Sequence, residues 1–265
     1  MSQKQTGSSL KDLPAFKNFS EKSFQDLLKK CKKFSFTMGQ PISSKGTLGQ
    51  NIFLLLQGEA RLISENNNNT KTICKYSAGA FIGLSSLLRG EGYEEVSAIE
   101  NSQALAIPAE QIIDLYQNEQ SFKDFCNSYF DPSETLSICE KIIENSPRTD
   151  INIKTACYTI FDKSKLFVVT DNKEIKRIQG KEYILTSANV VNKKISAVIN
   201  ENEVLEIRKP FPARVLEFDK KLYKSFYLSS NNNNNEKNQD TQLSSLIEEK
   251  KAPDYPEISN INVGQ

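Results

Sequence analysis

The spacing of apolar residues changes several times along the chain, and each change marks a boundary between elements. Residues 1–9 carry no apolar pattern and read as disordered. A short apolar lead-in follows from Leu10 to Phe19. Ser20 then stands where an N-cap hydroxyl meets the first free amides of a helix, with Phe24, Leu27, Leu28 and Cys31 on one face. From Phe34 to Ala106 the pattern becomes β-type, in short runs at 34–39, 51–63, 71–76, 81–88, 95–100 and 103–108 punctuated by glycine. Such closely spaced short runs predict a sandwich or barrel. Asn66–Asn69 lies between two of them and reads as a polar hairpin tip.

Helical spacing returns from Glu110 to Tyr116 and from Ser121 to Tyr129, and Asp131-Pro132 breaks it. A further helix, Glu134 to Asn145, carries Leu136, Ile138, Cys139, Ile142 and Ile143 on a broad face suited to core packing, or to a second copy. Pro147 ends it and closes a first unit over 10–147. Residues 151–228 then read as a smaller β-rich unit, with runs at 156–161, 165–171, 173–178, 182–187, 194–200, 203–208 and 213–219 and a short helix at 220–228. Residues 52–63 resemble 166–178 in outline, and 103–116 resemble 213–227, so the second unit is either a shrunken copy of the first or a separate β-rich piece. Residues 229–265 are a polar, low-complexity tail or linker whose one amphipathic island holds Leu243, Leu246 and Ile247.

Charge removes several partner classes. Thirty-four Lys and Arg against 33 Asp and Glu leave a net charge of +1, no long-range field for nucleic acid or anionic lipid. The chain has no histidine, which excludes Ser-His-Asp and Cys-His nucleophile systems and HExxH zinc sites. The five cysteines form no CxxC pair and sit in apolar patterns, as reduced core thiols do. No P-loop occurs, and no metal or cofactor is implied. The polar opening and the lack of any long apolar run predict a cytoplasmic chain without membrane insertion.

The glycine framework of residues 34–98 is more specific. Phe36, Gly39 and Ile42 are followed by Gly46, Gly49, Ile52, Phe53, Leu55, Gly58, Ala60 and Leu62, then by Gly79-x-Phe81-x-Gly83 and Val96-Ser97-Ala98. In order and spacing these residues resemble the cyclic-nucleotide-binding family over about residues 10–145. The resemblance implies a mainly β fold, an antiparallel jelly-roll-like β-roll with flanking helices, here with a second, smaller β-rich unit. It also implies a ligand phosphate lying on a cassette between two strands, here Gly79 to Ala98. The cassette positions are then Gly83, Leu84, Ser85, Ser86, Arg89, Gly92, Val96 and Ser97.

The resemblance places Leu84 where the family holds the ribose-binding Glu, and Gly92 where it holds the phosphate-binding Arg. Each lost charge-assisted bond forfeits about 1.5–3 kcal/mol, so the pair costs roughly 3–6 kcal/mol, about a hundred-fold to ten-thousand-fold in affinity. Backbone amides and the Ser85 and Ser86 hydroxyls remain as a weak anion site. Arg89 reads as a solvated loop charge among Glu91, Glu94 and Glu95, with a swing into the pocket as the alternative.

The leading expectation is a non-catalytic regulatory, sensor or docking module that does not bind cyclic AMP or cyclic GMP tightly. Its partners would be a weakly held cyclic nucleotide or other small anion, and a protein or covalently linked domains. A second reading takes the chain as the N-terminal cytosolic part of an ATP-binding-cassette exporter of the cyanobacterial toxin or bacteriocin type with a peptidase domain, which it is similar to in segment order. A catabolite-activator-like transcription factor fits less well, because no basic recognition helix follows the roll. A kinase regulatory subunit with tandem domains lacks an Arg-Arg inhibitor motif in residues 1–9.

Overall fold

The computed structural model describes residues 10–66, 69–170 and 175–227. A 3-10 turn at Leu10–Asp12 leads into helix α1 (Glu21–Lys30), where the Ser20 hydroxyl accepts from the Ser23 amide at 3.0 Å. Eight strands follow: β1 (Lys32–Phe36), β2 (Pro41–Ser43), β3 (Asn51–Gln57), β4 (Ala60–Asn66), β5 (Asn69–Tyr76), β6 (Phe81–Ile82), β7 (Val96–Ala98) and β8 (Ser102–Pro108). Helix α2 (Leu84–Arg89) interrupts them between β6 and β7. They form two antiparallel four-stranded sheets, in the orders β1-β8-β3-β6 and β2-β7-β4-β5. This is the expected β-roll.

Alternation along the strands divides the apolar side chains between two cores. Leu55, Leu62, Ile73, Ile82 and Val96 pack inside the roll, whereas Leu54, Phe81, Leu105 and Ile107 pack outside it against Phe16, Phe24 and Leu27. Helices α3 (Ala109–Asn118) and α4 (Gln120–Ser128) extend the outer core through Ile112, Leu115 and Phe122. Helices α5 (Pro132–Asn145) and α6 (Ile153–Lys163) instead join the inner core through Leu136, Ile138, Cys139, Ile142, Ala156, Cys157 and Ile160. The α5 stripe is therefore used within the chain.

The remaining strands, β9 (Lys165–Val169), β10 (Lys181–Leu185) and β11 (Ala213–Asp219), form a smaller antiparallel sheet in the order β10-β11-β9, followed by helix α7 (Lys220–Ser225). Several expected strands are corrected. Residues 156–161 lie in α6, because Ala156, Cys157 and Ile160 share one buried helical face and Asn152 caps it, accepting from Lys154 and Thr155 at 3.0 and 3.4 Å. Residues 81–88 split at Gly83, whose φ of 89° turns β6 into α2. Residues 194–200 and 203–208 contribute only the bridges Ile184↔Val198 and Val190↔Ile207, and 175–178 lie in no strand. Residues 1–9, 67–68, 171–174 and 228–265, expected as a disordered start, part of the hairpin tip, the ends of two strand runs, and the end of the last helix with the polar tail, lie outside the described residues. All five cysteines are buried and free, and no helix among the described residues is long and apolar enough to cross a membrane.

Candidate functional site

Helix α2 starts at a glycine and so has no side-chain cap. Its free amides are met from the far side of the cassette loop. The Glu94 carboxylate accepts from Gly83 N at 2.6 Å and from Ser86 N at 2.8 Å, one bond to each oxygen. The Ser86 hydroxyl returns the contact by accepting from the amides of Tyr93 and Glu94 at 3.1 and 3.2 Å. Glu94 is 2% exposed. Burial and then the nearby charge of Asp131 push its carboxyl up to about 7, against the opposing pull of the Gly83 and Ser86 amides.

Position 92 has no room for a side chain. A Cβ on Gly92 would lie 2.2 Å from the Thr47 carbonyl oxygen, because the 44–47 loop closes on the cassette, with Gly46 N donating to Gly92 O at 2.7 Å and Lys45 N to Glu95 Oε2 at 2.8 Å. Tyr93 lies beneath that loop. Its ring has the Lys45 ammonium 4.7 Å from its centroid and the Arg89 guanidinium 5.5 Å away. Its hydroxyl donates to Glu140 of α5, which also accepts from Ser64 Oγ at 2.7 Å and pairs with Lys45 at 2.6 Å. Loop, cassette and α5 are thus clasped together.

The other expected positions divide between the two faces of the sheet. Leu84 is fully buried in the outer core beside Phe81 and Leu88, so its side chain does not fill the roll interior. Val96 is buried in the inner core, and the Ser97 hydroxyl accepts from Arg61 Nε at 3.5 Å. The Ser85 hydroxyl is buried with no hydrogen-bond partner among the described residues.

Arg89 is corrected outright, since it is 0% exposed and not a solvated loop charge. Its Nε donates to Thr186 O at 2.6 Å and its Nη2 to Ser137 Oγ at 2.5 Å, while Glu91 lies 3.5 Å away. The segment after β10 covers it, and Ala188 N donates to the Arg89 carbonyl at 2.7 Å. Beside it Arg214 of β11 grips Glu134 of α5, Nε to Oε1 at 3.0 Å and Nη2 to Oε2 at 2.8 Å, and Thr186 Oγ1 adds a 2.5 Å bond to Oε1. Burial alone would raise the Glu134 carboxyl, yet Arg214 and then Arg89 hold it below the usual carboxylate range. Glu94, Glu134, Glu140, Thr186 and Arg214 were not expected at the site. One signal existed: a lone Arg inside the apolar run ARVLEF is the pattern of a buried, paired charge.

The family model for the cyclic nucleotide-binding domain matches residues 33–119. Residues 33–119 form a cyclic nucleotide-binding domain. No curated protein matches the chain. Among solved structures, it is similar to a protein from Geobacter metallireducens GS-15 described as cyclic nucleotide-binding, at 22% identity over 44% of this chain and 86% of that one, TM-score 0.39. It is also similar to PfPKA-R (141–441) with cAMP bound, at 16% identity over 82% and 80% of the two chains, TM-score 0.37. The catabolite activator protein of Thermus thermophilus is similar at 18% identity over 55% and 80%, TM-score 0.37. In this cyclic nucleotide-binding domain the amides of Gly83 and Ser86 at the start of α2 are met by the Glu94 carboxyl.

Proposed function

We propose that the chain is a non-catalytic regulatory or docking module whose cyclic nucleotide-binding domain does not take cyclic AMP or cyclic GMP tightly. The observation that carries this reading is the Glu94 carboxylate on Gly83 N and Ser86 N. A ligand phosphate would have to displace a carboxylate that is already desolvated and bonded twice, and would meet no arginine at position 92. Gly92, pressed against Thr47, supports the same conclusion. The role left to the fold is mechanical: α2 ties the roll to the second sheet through Arg89, so the cassette serves as a joint between segments and the module acts on a protein partner or on linked domains. Calorimetry with cyclic AMP and cyclic GMP at near-millimolar ligand tests the reading. No measurable heat is expected, and micromolar binding of either nucleotide overturns it.

A further inference from the structure

Glu94 shares its dry surroundings with a second carboxylate that lacks a cation. Asp131 caps α5, with Oδ1 accepting from Ser133 N and from the Tyr76 hydroxyl, both at 2.8 Å, and Oδ2 from the Tyr129 hydroxyl at 3.5 Å. Among the described residues neither carboxylate is paired with a Lys or Arg. The buried guanidiniums meet other groups, Arg89 the Thr186 carbonyl, Ser137 and Glu91, and Arg214 Glu134 and the Cys126 and Tyr129 carbonyls. The titratable groups facing the pair are Cys74 and Tyr76 from β5, Glu134 from α5 and Tyr158 from α6. Burial pushes both tyrosines and Cys74 further up, so they stay neutral and add no charge.

Building on the self-occupied cassette, we propose that Glu94, buried on two amides with no Lys or Arg pairing it among the described residues, takes up a proton from solvent, and that this uptake releases one of the two cassette amides. An ionised carboxylate accepts through both oxygens, as Glu94 does with Gly83 and Ser86. Once protonated, one oxygen becomes an O–H donor, and the amide facing it loses its acceptor. The proton comes from solvent and returns there, so no other reactant is required. Burial and the charge on Asp131 both favour the protonated form, which brings the exchange near neutral pH, with Glu94 at about 7. The cassette turn is then tight when Glu94 is ionised and loose when it is neutral.

Amide hydrogen exchange of the full chain, read at Gly83 and Ser86 from about pH 5.5 to about 8.5 and corrected for intrinsic rates, tests this. Protection at one of the two amides is expected to rise about tenfold as pH increases through the step, the equivalent of one hydrogen bond. Glu94→Gln abolishes the step, and Asp131→Asn moves it to lower pH by about one unit, because a neighbouring negative charge is gone. Should Glu94→Gln fail to fold, carbon-13 labelling of the glutamate carboxyls in the unmodified chain gives the same answer as one carboxyl titrating near neutrality. A flat profile in the unmodified chain, a step that survives Glu94→Gln, or a midpoint unmoved by Asp131→Asn overturns the proposal. Calorimetry on the same sample separates the two readings: micromolar cyclic nucleotide binding defeats the self-occupied cassette itself, whereas a flat profile without binding defeats only the proton uptake by Glu94.

Discussion

At the start of α2 a buried carboxylate, Glu94, meets backbone amides, while past its end another, Glu134, meets the guanidinium of Arg214 with Arg89 close by. Both glutamates are almost wholly shielded from water. Their carboxyl pKa values nonetheless move in opposite directions, Glu94 up and Glu134 down. Burial is common to both, so the partner decides: two amides do not repay the loss of water beside Asp131, and a bidentate arginine does. One end of α2 is therefore met by a carboxylate that only amides and no cation hold among the described residues, and past the other end a paired charge ties α5 to the second sheet.

The sharpest way to break this contrast is Arg214→Met, which leaves Glu134 buried with Arg89 as the remaining nearby cation among the described residues. Urea unfolding is expected to show a loss of about 3–5 kcal/mol, the cost of stranding one partner of a buried pair. A loss below about 1 kcal/mol would falsify the description of a paired tie.

The pH dependence of stability sharpens the contrast, because the two groups have opposite signs. Glu94 binds its proton more tightly folded than unfolded, so its contribution is full below the unfolded value of 4.5 and is lost as pH rises to about 7. The slope approaches about 1.4 kcal/mol per pH unit. Glu134 binds its proton less tightly when folded, so its contribution is present above 4.5 and is lost as pH falls through the lower folded value. Urea midpoints across pH for Glu94→Gln should show the upper slope flattened with the acid limb kept.

Gly92→Arg restores the charge that the family resemblance expects. With the Thr47 carbonyl 2.2 Å from the new Cβ, it should destabilise the chain by about 1–3 kcal/mol without conferring cyclic nucleotide binding. Micromolar affinity in this variant would show that an arginine at position 92 suffices for nucleotide binding even with Glu94 on the Gly83 and Ser86 amides. The smallest effect is expected for Lys45→Ala at the half-exposed clasp with Glu140, a loss under about 1 kcal/mol in thermal unfolding.

Much of the roll was legible because its signals are local. Alternation in β3 sends Leu54 outward and Leu55 inward, and the Ser20 cap of α1 is read from the residues beside it. Residues 156–161 were misread because a short apolar run satisfies strand and helix periods alike, and the choice fell to packing of Cys157 and Ile160 against the roll. At the site, Leu84 and Gly92 are legible as residues that differ from what the resemblance expects, but the environment of the neighbouring charges is not. Glu94 and Arg89 belong to a charged loop sequence that reads as solvated surface.

What the sequence alone determined, then, is the β-roll, since glycine turns and apolar periods act over a few residues. Only the tertiary structure decided what stands in the cassette. Glu94 reaches back past α2 to Gly83, eleven positions earlier, and Arg89 finds Thr186 ninety-seven residues away. Whether such a charge is solvated or buried depends on which distant segment covers it, and no local pattern contains that segment.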